Sequence, residues 1–311
     1  MGVEVELSGL SYESLVTWTA HYLGGEPRER AYYETLVTTG DGDYLIELDS
    51  AQVKALDDED LDLPEPLAQI RDGAMDLIEA AAERIVPLEI VSPPLPLSRL
   101  QVMEDLCDAL RERGALGSRH AIYFAFGCQL NPELPTLDAD TILAYMRAFA
   151  GLYPWLRERQ QPDFSRKLTF YIEPWPKRYL DVLTAPDYQP DIDGLVADYL
   201  RFNPTRNRAL DMMPLWAHLR PDALRQIPRD ARIKARPTLH YRLPDCDIDN
   251  PDWHFSRVWD DWLAVEALVA NPSLLEAFIE TFRQQQKFSL DNLGRDWVKE
   301  CDFWVRRAQG Y

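Results

Sequence analysis

The chain has 311 residues, 46% of them hydrophobic, with a formal net charge of −19 and a pI near 4.7. That length and apolar share allow a sizeable core in one large domain or two small ones, and the acidity excludes nonspecific nucleic-acid binding or attachment to an anionic membrane, both of which need a basic face. Mean hydropathy is −0.34, no apolar run approaches the ~20 residues of a membrane span, and no basic, apolar leader opens the chain, so the expectation is a soluble cytoplasmic protein.

The elements follow in chain order. Residues 2–8 alternate as a strand, with Val3, Val5 and Leu7 on one face and Glu4 and Glu6 on the other. An amphipathic helix is expected over 11–23, stopped at Gly24–Gly25. Residues 31–38 and 43–49 read as strands joined by a hairpin turn at GDGD, 40–43. DDEDLDLPEP, 57–66, reads as an acidic loop, followed by a helix over 66–84 and a short strand over 86–93, stopped by Pro93–Pro94. A helix over 97–113 closes at Gly114, AIYFAFGCQLN (121–131) reads as a buried strand, and 136–153 as a capped helix. Beyond it come a strand over 168–173, helices over 192–201 and 208–219, and a strand over 237–245. From 255 to 306 the chain is helical, with an apolar face of Trp259, Trp262, Phe278, Phe282, Trp297 and Trp304 expected in the core. Short strands and hairpin-like pairs favour an α+β fold over a doubly wound one.

Several strands carry polar groups at i, i+2 spacing, which puts them on one face. They are Glu4 and Glu6; Glu47 and Asp49; Glu89; Gln129 and Asn131; and His240 and Arg242. If these strands are neighbours, the groups converge into one polar surface of carboxylates, amides, an imidazole and a guanidinium. Taken singly, an ExE strand is ordinarily an exposed face, whereas amides within an apolar strand need partners. Clustered carboxylates repel one another and suit hard divalent cations, Mg²⁺ or Mn²⁺, rather than Zn²⁺. Only six of the 33 basic residues are lysine. That is either a compositional bias or a sign that forked guanidinium donors hold carboxylates or phosphates. Lys234, Arg236, Arg206 and Arg208 are candidates for that role, or simply a solvated basic stretch, and Asp211 is expected to pair with one of these arginines. The four cysteines are too far apart for a CxxC or metal motif and read as buried, reduced thiols. Neither GxxxxGK[ST] nor GxGxxG occurs.

Together, GVEVELSGL, DYLIELDS, PLEIVSPPLPLSRLQVMEDL, FGCQLNPELP, RFNPTRNRALDMMPLW and IKARPTLHYRLPD resemble the amidoligase family of carboxylate–amine ligases, over residues 1 to about 253. The resemblance implies one catalytic domain across 1–311, with a core over 1–253 and a helical extension over 254–311. It implies a glutamine synthetase-like, curved, mostly antiparallel sheet with helices on its convex face. ATP would phosphorylate a carboxylate, an amine would displace the phosphate, and Mg²⁺ or Mn²⁺ would bridge the nucleotide to Glu4, Glu6 and Glu89. The substrates would be a small-molecule or peptide carboxylate and an amine. Asp49 would orient the amine, Arg242 and Arg236 would contact the phosphoryl group, and Gln129, Asn131 and His240 would complete or flank the metal–nucleotide shell. Lys234, Arg206 and Arg208 would clamp phosphate or carboxylate.

Two positions depart from the family pattern. Many relatives carry His-x-His where this chain has Gln129-Leu130-Asn131, and Glu-x-Arg where it has His240-Tyr241-Arg242. The alternatives are therefore a weakened nucleotide- or metal-binding protein of the same fold, a metal-dependent hydrolase, or a scaffold. The chain also starts directly at the ExE strand, which points either to a start further upstream or to an edge strand less protected than usual.

Overall fold

The computed structural model describes residues 1–31, 33–48, 87–120, 126–160, 172–228, 230, 232–288 and 293–310. The expected loop and helix over 57–84, Asp49, and the first parts of the strands expected over 121–131 and 168–173 lie outside the described residues. The strands are β1 (Gly2–Leu7), β2 (Glu26–Ala31), β3 (Glu34–Thr39), β4 (Gly42–Leu48), β5 (Leu88–Val91), β6 (Cys128–Asn131), β7 (Leu210–Asp211) and β8 (His240–Tyr241). The helices are α1 (Tyr12–Leu23), α2 (Gln101–Glu112), α3 (Ala139–Gln160), α4 (Lys177–Leu183), α5 (Ile192–Phe202), α6 (Met213–Leu219), α7 (Phe255–Val269), α8 (Pro272–Phe288) and α9 (Leu293–Ala308). The fold is mixed α+β with antiparallel strand pairing and a helical C-terminal region. The chain divides into two compact units, one including Met1–Leu130 and Pro244–Ser256, the other Asn131–Pro162, Thr169–Leu243 and Arg257–Tyr311.

In the first unit the strands run in the order β2-β3-β4-β5-β1-β6. Alternation along each strand sorts residues between two faces. Val3, Val5, Leu7, Val37, Tyr44, Ile46, Leu88 and Ile90 are all buried on one of them. Helix α1 lies against β2, β3 and β4 and against α2, whose Met103, Leu106 and Leu110 are buried. β1 sits between β5 and β6, so the alternative of a poorly protected edge strand there does not hold. The edge is β2, EPRERA, which falls mostly between the expected helix over 11–23 and the expected strand over 31–38. All six of its residues are exposed, so no periodicity marks it, and its pairing with β3 makes it a strand. Pro27 and the alternating charges suit an edge, where ladder donors are not needed.

The segment Pro244–Ser256 returns to this unit and is fastened to α2. Arg111 donates to the carbonyls of Ile248 (2.5 Å) and Trp253 (2.8 Å), and Glu104 accepts the Ser256 N–H (2.6 Å) at the start of α7.

The second unit is built on aromatic packing. Phe149, Trp175, Tyr179, Tyr199, Trp216, Tyr241 and Trp262 are all buried and meet mostly edge to face, with ring centroids 5.3–6.2 Å apart. Helix α3 carries α8 and α9 on its side. Gly151 makes this possible, because a Cβ there would lie 2.4 Å from the Phe278 ring, and its carbonyl accepts the Trp297 indole N–H (2.8 Å). Trp262, Phe278, Phe282, Trp297 and Trp304 are buried as expected, while Trp259 is half-buried. Among the described residues no single helix is long and apolar enough to cross a membrane.

The helix expected over 208–219 begins only at Met213. Pro214 has no N–H to continue a helix from upstream, the Asp211 carboxylate accepts the Met213 N–H (2.8 Å), and Leu210–Asp211 pairs instead with β8. All four cysteines are buried free thiols, and burial pushes each well above its ordinary pKa.

Candidate active site

The ladder register of the first unit lines up glutamates across four strands. Glu6 on β1 stands opposite Glu89 on β5, Glu89 opposite Glu47 on β4, and Glu47 opposite Glu34 on β3. Directly opposed residues share a face, with Cβ atoms about 4.5–5.5 Å apart, so the four form one row on the face turned away from the apolar core. Glu4, two residues before Glu6, shares that face and stands opposite Val91. At the outer end Glu34 is ion-paired with Arg30 (3.1 Å). Inward the row is increasingly enclosed: Glu47 is half-buried, while Glu89 and Glu6 are 8% and 5% exposed. Like charges opposite one another across a ladder destabilise it. The donors are hard oxygens spaced by the sheet, and this chemistry fits an Mg²⁺- or Mn²⁺-type cation.

Each oxygen of Glu6 accepts a hydrogen bond from a neutral donor. The Gly127 N–H donates to Oε2 (2.8 Å) and the Gln129 Nε2 to Oε1 (2.7 Å), while the Glu6 N–H donates to the Gly127 carbonyl (2.9 Å). Gln129 is itself 6% exposed.

In the second unit the basic candidates are positioned by main-chain and amide oxygens. Arg236 donates from its guanidinium to the Asn131 Oδ1 (2.6 Å) and from its N–H to the Pro214 carbonyl (3.1 Å). Arg242 reaches the Arg206 carbonyl (3.0 Å) from its guanidinium and the Ala209 carbonyl (2.9 Å) from its N–H. Arg208 is buried, with donors on Asn203 Oδ1 (2.8 Å) and Glu173. Arg206 is half-buried and Lys234 exposed. Asp211, expected to pair with an arginine, instead faces His240 across the β7–β8 pair, Oδ2 to Nδ1 3.7 Å, with both residues buried. The two-residue strands bring these groups together through pairing that side-chain periodicity does not announce.

The structure thus brings Glu4, Glu6, Glu89 and Gln129 together in one unit and Asn131, Arg236, His240 and Arg242 in the other. Sequence reasoning noted Glu47 but did not assign it a ligand role, because its place in the row depends on register. It also passed over Gly127. The available signal was a glycine inside an apolar strand, which marks a close approach of backbone. A second cluster in the first unit, Glu104, Asp108 and His254, has ligand atoms within 4.8 Å of one another. Its carboxylates are engaged by His254 Nδ1 (3.1 Å), the Ser256 N–H and Arg111.

No curated protein and no solved structure matches the chain. A family model described as "Putative amidoligase enzyme" matches residues 1–264, most of the chain and all of the strands described above. With that match the resemblance of the motifs becomes a membership: the chain belongs to the amidoligase family, whose description points to a ligase.

Proposed function

We propose that the chain is an ATP- and Mg²⁺-dependent carboxylate–amine ligase acting on a small-molecule or peptide acid. The observation that carries this reading is the unbroken row of glutamates on β4, β5 and β1, found in a member of an amide-forming family. On this reading Glu4, Glu6 and Glu89 hold the divalent cation, with Glu47 next in line. The cation, when bound, neutralises phosphate charge and orients the nucleotide. A substrate carboxylate oxygen attacks the γ-phosphorus of ATP, the bond to the bridging oxygen breaks, and ADP leaves with that electron pair. The amine nitrogen then attacks the acyl carbon. The C–N bond forms, the C–O bond to phosphate breaks, and inorganic phosphate departs with its pair as the amine gives up a proton. Arg236 and Arg242 take the role of phosphoryl contacts, because guanidinium donors stabilise charge developing on phosphoryl oxygens. Lys234 and Arg206 serve as further phosphate contacts. Arg208, tied to Glu173 and Asn203, supports the segment that carries Arg206. Asp49 orients the amine, and His240 flanks the metal–nucleotide shell.

The test is thermal stability of the purified chain with ATP, with Mg²⁺ and with both, repeated on Glu4→Ala/Glu6→Ala. A ligand at a hundredfold excess over its Kd stabilises by about 2.7 kcal/mol. A shift that needs both ligands and vanishes in the double variant supports the reading, and no shift under any combination overturns it. Steady ATP consumption with an acid and an amine separates a working ligase from a nucleotide-binding relative that has lost ligation.

A further inference from the structure

We propose that Gly127 and Gln129 are positioning residues, a two-donor cradle that aims the Glu6 carboxylate along the glutamate row, and that Gln129 is not itself a metal ligand. The inference rests on the metal-holding reading of that row.

Three observations carry it. First, each oxygen of Glu6 receives one N–H, from Gly127 (2.8 Å) and from the Gln129 amide (2.7 Å). An ionised carboxylate only accepts, so the amide must present its NH₂ to Glu6. Two donors on two oxygens fix the plane of the group, whereas one would leave it free to swivel. Second, the cradle is locked to the strand it serves, since the Glu6 N–H returns to the Gly127 carbonyl (2.9 Å). Backbone and side chain of one residue are thus held by the same short stretch, Gly127-Cys128-Gln129. Third, residue 127 has to be bare. A Cβ there would stand 2.9 Å from the Gln129 Nε2, 3.0 Å from its Cγ and 3.3 Å from its Cδ, so a side chain would push the amide off Glu6.

The chemistry gives the cradle a purpose. Glu6 is 5% exposed and stands directly opposite Glu89, so a swivelling side chain would turn its lone pairs away from its neighbour. Groups behind a metal ligand orient it in this way. This strand therefore contributes at Gln129 an orienting group rather than a ligand.

The test is Mn²⁺ affinity by titration calorimetry on the full chain, with the metal-free thermal midpoint of each variant as a check on folding. Glu6→Gln is the control. Gln129→Met keeps the bulk and loses the donor, and a 10–100-fold weakening is expected. Gln129→His restores an N–H donor and recovers most of that loss. Gln129→Glu is decisive. If residue 129 were a ligand, the added anionic oxygen would tighten Mn²⁺. As a cradle residue it loses the donor and sets an anion against Glu6, so Mn²⁺ binds more weakly than in Gln129→Met. Gly127→Ala weakens binding in the same direction, and should it fail to fold, the three Gln129 variants still decide the matter. Tighter binding in Gln129→Glu, or unchanged binding in Gln129→Met while Glu6→Gln abolishes it, overturns the cradle and leaves the metal site standing. Absence of Mn²⁺ binding in the unaltered chain, or indifference to Glu6→Gln, overturns both.

Discussion

Glu6 and Glu104 belong to the same unit, are about equally buried, and each accepts N–H donors contributed by distant parts of the chain. They nevertheless do different work. Glu104 stands on α2, where its oxygens take the Ser256 N–H and His254, and Arg111 two turns away grips the same returning segment and neutralises Asp108. Its charge serves attachment. Glu6 stands on a strand where the residue directly opposite is another glutamate. Its two donors hold it within the glutamate row. An acidic cluster becomes a candidate site less through the number of its carboxylates than through what the fold sets facing them.

The comparison can be broken in three ways. Glu6→Gln should remove the whole Mn²⁺-dependent stabilisation, about 2.7 kcal/mol at a hundredfold excess over Kd. The metal-free protein should stay within about 1 kcal/mol of the original, because repulsion across the ladder is relieved; urea denaturation with and without Mn²⁺ reads both. Glu104→Ala should behave oppositely. Stripping the acceptor from a helix start and from His254 should cost about 2 kcal/mol, with the Mn²⁺ increment intact. Equal loss of Mn²⁺ stabilisation in both variants would erase the distinction. Arg111→Met removes donors to two carbonyls and should cost about 1–1.5 kcal/mol in the same assay, again without touching Mn²⁺.

A third acid sharpens the contrast from the exposed side. Asp138 caps α3, accepting the Thr141 N–H (2.8 Å), and the Thr136 hydroxyl and that N–H hold its carboxyl down to about 2 from an ordinary 3.8. Its folded value lies below its unfolded one, so its contribution is full above about pH 5 and fades as pH falls through the lower value. Asp138→Ala should cost about 1 kcal/mol near neutrality, and the gap to the parent should close near pH 2. A gap that persists there would mean the side chain acts through packing rather than charge.

Much of this arrangement was legible in the sequence, and the rest was not for definable reasons. Strict alternation marked β1 and sorted its glutamates to one face, and GDGD marked the β3–β4 hairpin. Periodicity says nothing about register, however, so Glu47 could be seen as a polar strand residue but not as Glu89's neighbour. β2 escaped because every residue on it is exposed. β7 escaped because two residues cannot display a period, and an apolar run ending in Met-Pro-Leu-Trp looks helical from its start. Gln129 and Asn131 were recognised as amides needing partners. That those partners are Glu6 and Arg236 depends on contacts across more than 100 positions of chain.

The antiparallel register of β1 against β5 has a final consequence, for folding fidelity. Side chains alternate with a period of two, so a slip of one residue between these strands would turn every one of them over. Glu4 and Glu6 would enter the apolar layer, while Val3, Val5 and Leu7 would face outward. The carboxylates thus act as proofreaders of their own assembly: a chain that has mispaired β1 pays for buried charge at once, and a chain that has paired it correctly has, in the same step, laid out its glutamate row.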